Sequence, residues 1–358
     1  MSAWIIAGRR TAVMPRGGAF ARLSLAELAA PVIAACLADA GITGREVDEV
    51  IVANALGAGG NPARVVALAA GLPERVAGLS IDRQCVGGLD AVLLARALVE
   101  SGAAQVVVAG GVESYSRRPL RFATDPEGGE AVAYDQPAFT PWPKRDPGMV
   151  EAAAALAVRL GISRAAQDRW AVESHRKALA ADMAEIVPVR GQVRDGFARV
   201  LTAAGRAKVL CGTVTMANAA VAADAAGFVV VVSERRARDM RALRIAGGVT
   251  RGGRPEEPGL APVAAIAAAL GQAGVRSDQV AVAEVMEAYA VQAIACVQGA
   301  GLDDRLVNMG GGALARGHPI GASGAILAVR LVHQLRSGYG LAAIAAAGGI
   351  GTALLVQA

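Results

Sequence analysis

PVIAACLADAGITGREVDEVIV, residues 31–52, and PVAAIAAALGQAGVRSDQVAVAEV, residues 262–285, carry one pattern twice. Each opens with an apolar run of helical period, passes an Ala-Gly pair and a polar turn, and ends in a valine-rich strand. The offset is 231 at the prolines and 233 at the Ala-Gly pairs. The pattern continues downstream. LSIDRQCVGGLDAVLLARALVESGAAQVVVAGG, residues 79–111, reads as strand, Gly-rich turn, helix, strand and Gly-Gly. LVNMGGGALARGHPIGASGAILAVRLVHQLRSGYGLAAIAAAGG, residues 306–349, reads the same way, with its Gly-Gly pair, Gly348–Gly349, 238 positions beyond Gly110–Gly111. Strands alternating with helices predict an α/β protein with mainly parallel sheets covered on both faces. The duplication predicts two similar halves packed against each other.

Residues 115–211 match neither half. They open with Pro119, Pro126, Gly128, Gly129, Pro137, Pro141, Pro143 and Pro147, and then show helical periodicity over 152–160 and 165–181. This stretch reads as an insertion that covers a substrate, and a strand over 228–232 returns the chain to the first half. The expected division is residues 1–114 with 212–245 for the N-terminal half, 115–211 for the inserted loop domain, and 246–358 for the C-terminal half. Residues 337–358 hold no charge over 22 positions, as a tail anchor would. Their five glycines instead predict two short buried strands, 341–347 and 352–356.

The chain has 358 residues, 54% hydrophobic but only 3% aromatic, so its core is built from Ala, Val, Leu and Ile. The net charge of +5 is mild. Arg235, Arg236, Arg238, Arg241 and Arg244, with Arg251 and Arg254 beyond, form either a solvated face or an anion site. No aromatic residue is interleaved with them, which argues against nucleic acid. Four separated cysteines without a CxxC pair, and a start whose apolar run is too short for a signal peptide, point to a cytoplasmic protein without disulfides. No membrane partner is expected. Neither a GxGxxG opening a helix nor a GxxxxGK[ST] is present, and three histidines without HExxH give no reason to expect a metal.

Two residues stand where chemistry is expected. Cys85 follows a strand and precedes Gly87, Gly88 and an apolar helix from Leu89. Unpaired N–H groups and the dipole at such a helix start would stabilise its thiolate. His318 lies in GHPIGASG, ahead of a helix expected from about Ala325, and 233 positions after Cys85. A two-fold arrangement of halves would bring both to one site, where a neutral imidazole exchanges a proton. Cys36, Cys211 and Cys296 sit inside apolar runs and read as buried, and His333, in mid-helix, as structural.

At these residues the chain resembles the thiolase family almost end to end. The shared landmarks are GGNPARVVALAAGLP at 59–73, the Cys85 segment, VVVAGGVES at 106–114 and GISRAAQDRWAVESHRKA at 161–178, then TVTMANA at 213–219 and GGALARGHPIGASGA at 311–325. The resemblance implies a duplicated five-layer αβαβα thiolase fold, a homodimer or homotetramer, and coenzyme A thioesters as substrates rather than a permanently bound cofactor. By it, Cys85 is acylated, His318 activates the thiol and helps to hold an enolate oxygen, and backbone N–H groups of Cys85 and Ala347 form a second oxyanion hole. Met149, Ala220 and Tyr289 would lie along the substrate.

Departures are also legible. The family's Asn-Glu-Ala-Phe is here Met286-Glu287-Ala288-Tyr289, so the asparagine that holds a water in the first oxyanion hole is missing. The second cysteine, acid and base at the substrate α-carbon, is Ala345, and a serine near coenzyme A is Ala220. The loop region is shortened around 191–211. Three readings follow from the sequence: a thiolase-type acyltransferase, a homologue that passes the Cys85 acyl group to another acceptor or to water, and a non-catalytic subunit.

Overall fold

The computed structural model describes residues 2–57, 59–202 and 207–358. The first half runs through strand β1 (Ala3–Arg10), strand β2 (Met14–Pro15), helix α1 (Leu25–Asp39), β3 (Glu49–Ala53), α2 (Pro62–Ala69), β4 (Leu79–Ile81), α3 (Gly87–Glu100) and β5 (Val106–Ser114). The chain then leaves the sheet. A hairpin of β6 (Arg121–Ala123) and β7 (Val132–Tyr134), helices α4 (Met149–Leu160) and α5 (Arg164–Ala180), and a hairpin of β8 (Val209–Cys211) and β9 (Val214–Thr215) make a cover. It returns as β10 (Ala223–Ser233) and the short α6 (Glu234–Ala237). The second half follows: β11 (Leu243–Gly252), α7 (Ala261–Ala273), β12 (Val280–Val285), α8 (Ala290–Gly299), α9 (Ala313–Arg316), α10 (Ile320–Gln334), β13 (Tyr339–Ala346) and β14 (Ile350–Gln357).

The strands line up as β4-β3-β5-β10-β1 in the first half and β12-β13-β14-β11 in the second. β1 and β11 join the two through only Trp4↔Arg244 and Ile5↔Leu243. Parallel pairing is confined to β4-β3-β5 and β12-β13. The sheets are therefore mixed rather than mainly parallel. The reason is local: the turn at residues 347–349, with Gly348 at φ 76° and Gly349 at φ 77°, reverses β13 into an antiparallel β14. The cover occupies the corresponding place in the first half, between β5 and β10. β11 pairs with β14 from Arg244 to Gly252, so the strand crossing residue 245 belongs with the second half.

The repeat is real, at an offset of 233. Gly41 and Gly274 end α1 and α7 with φ 60° and φ 65°, a left-handed geometry that glycine adopts without strain. Short 3₁₀ turns follow at Gly44–Glu46 and Ser277–Gln279. The prolines are not equivalent, because Pro31 lies inside α1 and Pro262 in the first turn of α7. Nor are the Gly-Gly pairs: Gly110–Gly111 lie within β5, whereas Gly348–Gly349 make the turn beyond β13.

Side-chain alternation builds the layers. On β5 and β10, Val106, Val108, Phe228 and Val230 face one apolar cluster with α1 and α2, while Val107, Ala109, Val229 and Val231 face another. On β13 and β14, Ala342, Ile344, Leu354 and Val356 face that second cluster, and Leu341, Ala343, Ala353 and Leu355 turn to α7 and α8. Both faces of each sheet are thus buried, with α3 and α10 between them and α1, α2, α7 and α8 outside, which makes five layers.

α3 and α10 cross at backbone distance. A Cβ on Gly88 would lie 2.6 Å from Ala325 N and 2.7 Å from the Gly321 carbonyl oxygen, and one on Gly324 would lie 2.4 Å from Leu89 N. Neither position has room for a side chain. This crossing fixes the distance between the two helix starts.

Candidate active site

α3 and α10 both begin earlier than the sequence suggests, at Gly87 and Ile320, so Cys85 and His318 each stand just ahead of a helix. His318 Nε2 lies 3.2 Å from the Cys85 sulfur. The duplication therefore delivers one residue from each half to a shared point.

The histidine is held from several sides. Its N–H donates to the Val221 carbonyl at 2.7 Å, and Gly317 before it takes φ 110°. The ring Nδ1 is 2.7 Å from Ser323 Oγ, and that hydroxyl donates to the Pro319 carbonyl at 2.9 Å. A hydroxyl has one proton to give. With it committed to Pro319, Ser323 accepts from His318, the proton sits on Nδ1, and Nε2 presents its lone pair to the thiol. Burial lowers the His318 pKa to about 4, so the ring is neutral at ordinary pH.

The thiol does not match the expected resting thiolate. Burial raises the Cys85 pKa to about 12, opposed by its own backbone N–H and reinforced by Glu113 and Asp82. Desolvation outweighs the helix start. At rest the pair is a neutral thiol beside a neutral imidazole. Gln84, directly before the cysteine, takes φ 52° and is pinned by Asp82 Oδ1 at 2.9 Å from its N–H, so the turn that aims the sulfur is strained.

Glu113 supports the site from below. Its carboxylate accepts from Asn54 Nδ2, Ala55 N, Leu56 N and Gly321 N at 2.7, 3.0, 3.3 and 3.0 Å, tying β5 to the start of α10. Burial raises its pKa to about 7, against the opposing pull of these N–H groups.

A cavity of about 640 Å³ opens onto the pair. Cys85, His318, Ala345, Ala347, Met149, Ala220 and Tyr289 all line it, as do Tyr115 and Ile320. Two expected positions do not. Met286 is buried in the central cluster, its N–H bound to the Ala343 carbonyl at 2.9 Å, and stays out of the cavity wall. Glu287 turns to the cover: its carboxylate accepts from Trp170 Nε1, Ser174 Oγ, Asn308 Nδ2 and Leu314 N at 3.0, 2.7, 2.8 and 3.2 Å. It is a tie between α5 and the second half, not an oxyanion group.

The other candidates are accounted for. Cys36 and Cys296 are buried, whereas Cys211 is half-buried on β8, more open than its apolar surroundings imply. His333 Nε2 meets the Gly8 carbonyl at 2.8 Å, a structural contact. None of the clustered arginines lines the cavity; Arg236 pairs with Glu46, Arg244 bonds Gln357, and Arg241 bonds the carbonyls at the end of α10. Of the shortened stretch 191–211, residues 203–206 lie outside the described residues. Ser323, Glu113 and Tyr115 escaped the sequence reading, although the first two stand inside the quoted motifs GHPIGASG and VVVAGGVES.

The profile of the thiolase N-terminal domain matches residues 3–235, and that of the thiolase C-terminal domain matches residues 241–358. The chain belongs to the thiolase family, and its class is that of thiolase-type acyl-CoA acyltransferases. Among curated relatives, a putative acetyl-CoA C-acetyltransferase of Bacillus subtilis is 38% identical, covering 100% of this chain and 99% of the relative. An acetyl-CoA acetyltransferase of Cupriavidus necator is 37% identical over 99% of this chain and 98% of its own. The crystal structure of the Bacillus anthracis acetyl-CoA acetyltransferase superposes with a TM-score of 0.91 at 32% identity, covering 99% and 98% of the two chains. The Acat5 thiolase of Ascaris suum, solved with coenzyme A, gives 0.92 at 28% identity, with 100% of both chains covered.

Proposed function

We propose that this chain transfers acyl groups between coenzyme A thioesters through an acyl thioester on Cys85. The observation that carries the reading is the 3.2 Å contact between His318 Nε2 and the Cys85 sulfur at a largely apolar cavity. In this reading the sulfur attacks an acyl carbonyl while Nε2 takes its proton. The N–H groups of Cys85 and Ala347 hold the oxyanion, and Nε2–H returns the proton to the leaving group. Coenzyme A is a substrate here, a reading that the coenzyme A complex of the Ascaris relative supports, and Met149, Ala220 and Tyr289, which line the cavity, guide the acyl arm. The metabolic setting is fatty-acyl or ketoacyl chemistry in the cytoplasm.

The same reading takes residues 115–211 as the cover of the site and the chain as a homodimer or homotetramer. Val65 and Leu68 on α2 and Leu79 on β4, which ends the strand order among the described residues, are exposed apolar residues, a surface suited to a second copy.

Mass spectrometry after exposure to acetyl-CoA and acetoacetyl-CoA tests the function. An acyl adduct confined to the Cys85 peptide is the expected result. Adducts on another cysteine, or none with either thioester, overturn it.

A further inference from the structure

Six buried charges lie behind the histidine turn, outside the cavity wall. Arg10 at the end of β1, Arg316 at the end of α9 and Arg330 on α10 meet Glu284 on β12 and, from the cover, Glu185 and Asp195. Both carboxylates of the cover lie on one strap, residues 183–196, that clasps the chain where β1 ends. Arg10 N donates to the Glu185 carbonyl at 3.1 Å, Val187 N to the Arg10 carbonyl at 2.8 Å and Gly196 N to the Val13 carbonyl at 2.9 Å.

The network is tight at the strap and slack toward the histidine. Arg10 Nη1 meets Asp195 at 2.6 Å, Arg10 Nη2 meets Glu185 at 3.0 Å, and Arg330 Nη1 meets the same Glu185 oxygen at 2.6 Å. Glu284 instead stands 3.6 Å from both Arg316 Nη2 and Arg330 Nε, beyond hydrogen-bond range. Among the described residues neither of its carboxylate oxygens has a hydrogen-bond partner. Burial lowers the Arg316 pKa, Glu284 opposes the change, and Arg330 and Arg10 add to it. Beyond its bond to the Gly311 carbonyl, Arg316 is therefore held by charge balance. His318 follows two residues later. A second route runs through packing: Val13 N donates to Asp195 at 2.8 Å, and a Cβ on Gly317 would lie 3.4 Å from Val13 Cγ1. Without the strap's carboxylates, the three arginines would share Glu284 alone. We propose that the strap of the cover positions His318: Glu185 and Asp195 seat Arg10 and Arg330, and Glu284 and Arg316 carry that seating to the turn before the imidazole. The effect on rate rests on the acyl-transfer reading of Cys85 and His318; the placement of the ring does not.

The chain has three histidines, so the ring can be read by NMR with carbon-13 at Cε1, His318→Ala identifying its signal. Arg316→Met with Glu284→Gln removes one charge of each sign and leaves the network balanced. This double variant should fold, move the His318 signal and slow acetylation of Cys85 by acetyl-CoA about tenfold. Glu185→Gln, on the strap, should move the same signal. Because Arg316 meets Glu284 by charge and not as a bidentate pair, Arg316→Lys should acetylate within about threefold of the parent. Circular dichroism establishes folding, and Asp195→Asn, which keeps an acceptor for Val13 N, replaces a variant that fails to fold. An unmoved His318 signal in these folded variants overturns the proposal and leaves the network purely structural. So does a loss in Arg316→Lys equal to that of the double variant. A parent protein that is never acetylated, with the signal still moving in the variants, overturns the acyl-transfer reading and not this one.

Discussion

The two halves offer corresponding helix starts, and the protein equips them oppositely. At the start of α3, the sulfur of Cys85 has His318 as its side-chain hydrogen-bond partner, and the turn that carries it is strained at Gln84. At the start of α10, the imidazole is clamped through Val221, Ser323 and the Glu113-bound Gly321. In the proposed reaction, one side supplies a group that changes its bonding and the other a fixed acceptor. A duplicated fold thus gives two equivalent places, and the chemistry comes from making their surroundings unlike.

Removing the fixed acceptor has the largest expected effect. His318→Ala should slow Cys85 acylation on the order of 10²–10⁴-fold, read by single-turnover mass spectrometry. The same assay sharpens the point with pH. Because the folded ring titrates at about 4, Nε2 stays free to accept a proton as pH falls from neutrality, and acylation should decline only near that value. A midpoint near the ordinary histidine value would mean that the ring is not buried and neutral as described.

Ser323→Ala is the intermediate case. It leaves His318 in place but frees the choice of tautomer, so acylation should drop by about threefold to tenfold with the pH midpoint shifted. Full activity in this variant would show that Val221 and Gly317 alone orient the ring. Gln84→Gly tests the strained side and should change acylation least. Glycine accepts φ 52° freely, so thermal unfolding should report a gain of about 1 kcal/mol with acylation within twofold. A large loss of activity would give the Gln84 side chain a part in aiming the sulfur.

Cys85 and His318 were legible because glycines lie close to both and the repeat sets them at one offset. The strands and helices of the halves were legible for a similar reason, since periodicity is local. Partnerships spanning the chain were not. Asp90 meets Thr352 across 262 positions and Glu113 meets Gly321 across 208, and neither leaves a trace in the local pattern. Met286 and Glu287 misled for a different reason. They adjoin Ala288 and Tyr289, which do line the cavity, but where β12 ends one side chain enters the core and the next turns to α5. Motif adjacency carried no information about direction. The Gly-Gly pairs failed because the cover departs from the end of β5 where a tight turn leaves β13.

Asp90 carries one more consequence. It sits on α3, one turn after Cys85, yet Oδ1 accepts from Thr250 on β11 at 2.6 Å and Thr352 on β14 at 2.8 Å, while Oδ2 meets Arg83 at 2.8 Å. The helix that follows Cys85 is riveted into the other half. A backbone nick in the exposed turn at Asp239–Met240, which β1 and β11 span with two register pairs, would therefore not release two working fragments. An isolated first fragment would leave a carboxylate without its hydroxyl donors on a bare apolar helix face. The pieces should co-purify as a nicked whole and fail to fold when expressed singly. Duplicated in sequence, the molecule is indivisible in practice.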